Sequence, residues 1–327
     1  MYIVDFLPAR PDIRWDYALQ MGVQRAIVKL HPKLTGNAAP SDFSVLKEAQ
    51  DRFAERGLEL HGLEGDQMDM ERIKQGLPGR DEDIEAYQRM LRNMGKLGIP
   101  LLCYNFMAQV GWFRTRHAIA ERGGALVSGF NAADLDGLPL TEAGEISEAA
   151  MWENYEYFIR AVMPVAEEAG VQMGLHPDDP PVSPLRGIGR IFSTPENVKR
   201  ALDLVDSSSH GVTFCQGCYT TMGANVPELA RYFSEKNKLF FLHFRDVVGT
   251  PSNFRETFHD NGPTDMPALL KLYHSLGFKG PIRVDHVPTL IGEDNKDPGY
   301  GAQGRLFATG YLKGILDTIN STSGNNA

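Results

Sequence analysis

The chain has 327 residues, 42% hydrophobic and 23% charged, the balance of a globular protein with enough length for one α/β barrel. A net charge of −9, with no lysine–arginine cluster among aromatics, argues against a nucleic-acid partner, because that binding rests on neutralising phosphates. No apolar run is long enough to cross a membrane, and "MYIVDFLPARPD" lacks the basic start of a secretory leader. Three cysteines, Cys103, Cys215 and Cys218, are too few for a disulfide framework, so the chain reads as cytoplasmic.

Eight short apolar or β-branched runs recur along the chain. They are "YIVDF" (2–6), "RAIVKL" (25–30), "LELHGLEG" (58–65), "PLLCYNF" (100–106), "VQMGLHP" (171–177), "GVTFC" (211–215), "KLFFLHFRD" (238–246) and "PIRVDH" (281–286). Between them the spacing is helical. In 81–98, Ile84, Tyr87, Leu91, Met94 and Leu97 share one face, and Asp81 is placed to cap the start after the turn "GLPGR". "TPENVKRALDLV" opens with Thr194 as N-cap and Pro195 at the first helical position.

Eight strands alternating with helices predict a single-domain TIM (β/α)8 barrel over residues 1–319. A doubly wound open sheet is the runner-up, but no G-x-G-x-x-G follows the first strand. The stretch after strand four, about 108–150, reads as an inserted loop or hairpin that covers the barrel mouth. "NSTSGNNA" (320–327) reads as a disordered polar tail.

Chemistry collects at strand ends. "GLHPDDPP" (174–181) carries three prolines in eight positions, which ends regular structure just where His176 sits. In a parallel barrel the active site lies at the C-terminal ends of the strands. Strands five to eight end at His176, Cys215, His243 and Asp285, which are imidazole, thiolate, imidazole and carboxylate. Any one alone is bland: a strand-end histidine is usually structural and a buried cysteine a small hydrophobe. "CQGC" also fits a redox C-x-x-C, without the surrounding thioredoxin pattern. Four competent ligands on four successive strands favour a divalent metal site.

Neighbours add acid–base capacity. His286 follows Asp285, and Tyr300 lies in "DPGYG" (297–301), where a phenol beside a cation would lose its proton more easily. Arg245 shares the strand face of His243 and is placed to meet a substrate carboxylate, or else a nearby acid such as Asp246.

Residues 75–107, together with "HPDDPP", "TFC", "HFR", "FRETFH" (254–259), "DH" (285–286) and "DPGYG", resemble the mannonate dehydratases of the xylose isomerase-like TIM barrels. The likeness spans about 60–317. It implies a lyase of hexuronate catabolism that uses a divalent metal, Mn²⁺ or sometimes Fe²⁺, to remove water from D-mannonate, giving 2-keto-3-deoxy-D-gluconate. A related metal-dependent dehydratase, or an isomerase or epimerase, acting on another sugar acid or sugar is the alternative. The resemblance implies His176, Cys215, His243 and Asp285 as metal ligands. It implies His286 and Tyr300 as the acid–base pair, with His286 serving the leaving hydroxyl and Tyr300 the C2 proton. Arg245, Asp178 and Asn105 become the substrate contacts, and the assembly a homo-oligomer, a dimer. The pattern departs from the family at "TFCQGCYTTMG" (213–223), at Asp246 in place of an amide, and at "RVDHVP" (283–288). These departures are expected to alter the lining around the distal part of the sugar acid.

Overall fold

The first strand is split, and the split closes a ring. In the computed structural model, which describes residues 1–324, Tyr2–Ile3 pairs in parallel with Pro281–Val284. Asp5–Leu7 pairs in parallel with Arg25–Val28. Val4 joins the two pieces, so the parallel sheet begins and ends on one strand, which we call β1. The others are β2 (Arg25–Val28), β3 (Glu59–Glu64), β4 (Leu101–Tyr104), β5 (Gln172–Leu175), β6 (His210–Cys215), β7 (Leu239–Phe244) and β8 (Pro281–Val284). Each overlaps one of the eight apolar runs, and the TIM barrel is the fold. The runs are legible because strands of a parallel sheet are buried on both faces and so read as continuous apolar stretches.

A helix follows every strand: Ile13–Gln20, Phe43–Glu55, Arg80–Lys96, Glu148–Ala169, Pro195–Asp203, Val226–Glu235, Met266–Ser275 and Ala302–Gly324. Most of the buried apolar side chains lie between strands and helices, while a small cluster of Val4, Ile27, Leu101, Cys103, Phe240 and Phe241 accompanies the strands as a separate core. Thr194 caps its helix as expected, accepting from the Asn197 amide at 3.2 Å with Pro195 at the first position. Asp81 does not. That helix starts one residue earlier, at Arg80, after Gly79 with φ +86°, a conformation glycine adopts without strain. Asp81 falls in the first turn instead, where an acid suits the helix dipole, and it accepts from the Tyr157 hydroxyl.

The segment after β4 pairs with more than itself. Arg116–Ala120 and Leu126–Asn131 form a hairpin, and Asn253–Glu256 adds antiparallel to Leu126–Asn131. Val247–Thr250 completes a four-stranded sheet. Half of this sheet therefore comes from the loop after β7, which the sequence did not announce. Val110, Phe130, Leu185, Val247 and Phe254 are buried together beneath it. The terminal helix is longer than expected: it runs to Gly324, so 320–324 are helical, anchored by buried Leu316 and Ile319. The rest of the expected tail, 325–327, lies outside the described residues. Among the described residues no helix is long and apolar enough to cross a membrane.

One core histidine gives the fold a pH dependence. His210 at the start of β6 lies within 2.9 Å of the Tyr104 hydroxyl and 3.3 Å of the Tyr155 hydroxyl. Burial pushes its pKa down to about 4, below the ordinary 6.5. The unfolded chain thus binds a proton that the folded one refuses, and stability falls as pH drops from 6.5 to 4. The loss from this residue reaches about 3 kcal/mol. Urea unfolding at pH 7, 6 and 5 should show a slope in that window shallower by about one proton in His210→Gln. Equal slopes would refute the assignment.

Candidate metal centre and active site

Sheet register brings the strand-end ligands together. Cys215 sits opposite His243 in the β6–β7 pairing, and β8 runs beside β7 so that Asp285, just past its end, follows Val284 opposite Phe244. The amide of His176 donates to the Tyr104 carbonyl at 2.8 Å, extending β5 by one residue. One ligand atom from each of His176, Cys215, His243 and Asp285 lies within 4.8 Å of the others. The Nδ1 of His176 is 2.7 Å from the Pro177 carbonyl oxygen, which calls for a proton on Nδ1 and leaves Nε2 as a lone-pair donor. His243 turns Nδ1 toward Asp285 at 3.7 Å, while its Nε2 stands 3.4 Å from Glu64 and 3.2 Å from Arg283.

The surrounding charges fit a dication. Burial raises the Cys215 thiol, but its contacts with Cys218, Arg245 and both imidazoles outweigh that and hold it well below its ordinary value. Asp285 is likewise held low against burial by His286, Arg283 and His243. Glu64 is lowered to about 2, with burial opposed by Arg283 and His243. Asp179 and Glu256 are lowered too, each against burial, by Arg114 and Arg245. Four carboxylates and a thiolate thus face three buried guanidiniums, Arg114, Arg245 and Arg283, leaving two negative charges in excess. The same field, led by Cys215, overcomes burial and lifts His176 to about 9, drawing a proton to the place where a cation belongs. A ligated His176 must be neutral, so a divalent ion would displace that proton.

His286 and Tyr300 meet at 3.2 Å, Nε2 to hydroxyl, and Nδ1 of His286 is 3.2 Å from Glu256. Both residues line one cavity of about 190 Å³ with His176 and Asp285. Trp112, from the segment after β4, packs on His286 with ring centroids 4.8 Å apart and also lines the cavity. With no cation at the cluster, burial, then the Asp285 carboxylate, push the Tyr300 phenol up. It holds its proton and, once deprotonated, is a strong base.

Comparison with known proteins decides the family. The D-mannonate dehydratase (UxuA) family model matches residues 13–143 and 138–326. Mannonate dehydratase 2 of Halalkalibacterium halodurans is 36% identical over 296 residues, 81% of this chain and 85% of its own. The chain belongs to the mannonate dehydratase family. The crystal structure of mannonate dehydratase from Streptococcus suis serotype 2 superposes with a TM-score of 0.90 at 33% identity, covering 99% of this chain and 96% of that one. A xylose isomerase domain protein from Planctomyces limnophilus shares the fold, with a TM-score of 0.62 at 12% identity over 98% of each chain. The family match begins at residue 13, well before the 60 expected from motifs.

Within this mannonate dehydratase fold, two expected substrate contacts are otherwise engaged. Arg245, 1% exposed, donates to Glu256 at 2.6 Å and Asp179 at 2.7 Å, and its Nε lies 3.0 Å from Asp285. It braces the candidate ligands Cys215 and Asp285 and has no free edge for a substrate carboxylate. A side chain on Gly217 would meet it at 2.8 Å, which explains the glycine inside "CQGC". Asp178 is buried against Arg190 and the Phe192 amide and does not line the cavity. Asn105 does line it. Asp246 bonds Thr264 and the Val247 amide, away from the site. None of positions 216–223, 246, 284 and 287–288, where the sequence departs from the family pattern, lines the cavity. The expectation that they reshape its lining is therefore corrected. Cys215 and Cys218 are both free and buried, Cys218 within 3.2 Å of Arg245. Sequence reasoning gave no role to Glu64, Arg114, Asp179, Glu256 or Arg283. Strand alternation already placed Arg283 on the face of Asp285, and Glu256 was visible in "FRETFH".

Proposed function

We propose that the protein removes water from D-mannonate, giving 2-keto-3-deoxy-D-gluconate, with a divalent ion held by His176, Cys215, His243 and Asp285. The observation that carries this reading is that His176 and Asp285, two of the four clustered residues, line the same cavity as the His286–Tyr300 pair. Mn²⁺ is the preferred ion, with Fe²⁺ next; the thiolate argues against Mg²⁺. When bound, the metal supplies Lewis acidity toward the carboxylate and the charge that develops beside it.

The chain's own groups move the protons. Tyr300 passes its proton to His286 across their 3.2 Å contact, and Glu256 stabilises the imidazolium at Nδ1. The phenolate takes the proton from C2, and the imidazolium gives its proton to the departing 3-hydroxyl, which leaves as water; the resulting enol then moves its O2 proton to C3 to become the 2-keto-3-deoxy acid. Both residues end as they began. Three unpaired cysteines suit a reducing, cytoplasmic setting.

The test is to incubate purified protein with Mn²⁺ and D-mannonate and assay the 2-keto-3-deoxy acid. No product from D-mannonate or any other six-carbon sugar acid, with metal confirmed bound, would refute dehydration. A product of unchanged mass would replace it with isomerisation.

A further inference from the structure

With Arg245 committed to Glu256, Asp179 and Asp285, the cavity keeps, among the described residues, one lysine or arginine that has no ion pair. Lys29 directly follows β2 and lines the cavity. It is half-buried, and among the described residues it has neither a hydrogen bond nor an ion pair. The other lysine or arginine of the lining, Arg283, is paired with Glu64 and Asp285. The Lys29 ammonium lies 3.6 Å from where a Cβ on Gly65 would stand, so the chain extends over that glycine, just past the end of β3.

Two further groups share this wall. Lys74, fully buried, donates to Asp66 at 2.7 Å and to Asn105 Oδ1 at 3.1 Å. The Met107 amide also donates to Asn105 Oδ1, at 3.0 Å. With its oxygen held twice, Asn105 keeps its Nδ2 as a donor for the cavity. The wall thus offers an ammonium, an amide donor and a carboxylate acceptor, at the ends of β2 to β4. The ligand cluster stands across the barrel mouth, at the ends of β5 to β8.

We propose that Lys29, with Asn105 and Asp66 of the same cavity lining, reads the hydroxyl tail of the sugar acid and so sets the chain length that the enzyme prefers. This rests on the dehydratase reading, which puts the carboxylate end at the metal centre and sends the tail toward β2. Hydroxyls both donate and accept, and this mixed set matches them. A second carboxylate there would meet Asp66.

The experiment compares D-mannonate with D-lyxonate, the five-carbon acid of the same configuration at C2 to C4, on wild type, Lys29→Met and Lys29→Arg. Lys29→Met should lower kcat/KM for D-mannonate about 10- to 100-fold, chiefly through KM, as expected for losing a hydrogen bond to a charged group. It should change D-lyxonate less than about 3-fold and leave bound metal at the wild-type level, and Lys29→Arg should recover part of the loss. The thermal shift that D-mannonate gives metal-loaded wild type should shrink in Lys29→Met, a readout independent of turnover. An unchanged ratio between the two acids, or a fall in kcat at constant KM, overturns the role of Lys29 alone. If wild type makes no 2-keto-3-deoxy acid, the dehydratase reading falls and this assignment with it.

Discussion

His176→Ala and Cys215→Ala should each leave a folded barrel without stoichiometric metal and lower the dehydration of D-mannonate at least about 10³-fold. Loss of Lewis-acid stabilisation is worth several kcal/mol, and each 1.36 kcal/mol is tenfold in rate. The reason lies in the donor set. His176 is fixed by the Pro177 carbonyl with Nε2 left to donate, and Cys215 is held as a thiolate by Cys218, Arg245 and two imidazoles. Removing either leaves three donors. Removing Cys215 also takes away one of the two excess negative charges that a dication would balance. Metal analysis beside circular dichroism reads the outcome directly. Wild-type metal content in both variants would sink the proposed centre.

The barrel and the cluster of candidate ligands were legible for one reason. Parallel strands are apolar on both faces, so a polar residue at a strand end stands out, and His176, Cys215, His243 and Asp285 stood out together. What surrounds them was not legible, because it is assembled across sequence distance. Arg245 reads as a free cation next to a strand, yet its acids are Asp179, 66 residues away, and Glu256, on a strand of the small sheet. The hairpin half of that sheet was expected; the half after β7 escaped notice because Val247–Thr250 and Asn253–Glu256 are only four residues each, and the first is exposed along most of its length. Asp178 and Asp179 are neighbours in one motif. Only the second lines the cavity, and nothing in "HPDDPP" says which.

The proton-transfer pair should show itself as a unit. Tyr300→Phe and His286→Ala should each lower kcat by about 10² to 10⁴ while bound metal stays at the wild-type level, since neither residue is among the four ligands. The double variant should be little worse than either single one. In the proposed cycle the proton that Tyr300 gives up is the one that His286 delivers, so breaking the 3.2 Å contact at either end stops both transfers. Independent roles would instead multiply the two losses. Burial and the Asp285 charge push the Tyr300 phenol up, so a proton acceptor in contact with it favours the transfer. His286 stands in that place, and Glu256, 3.2 Å from its Nδ1, faces the ring from the other side.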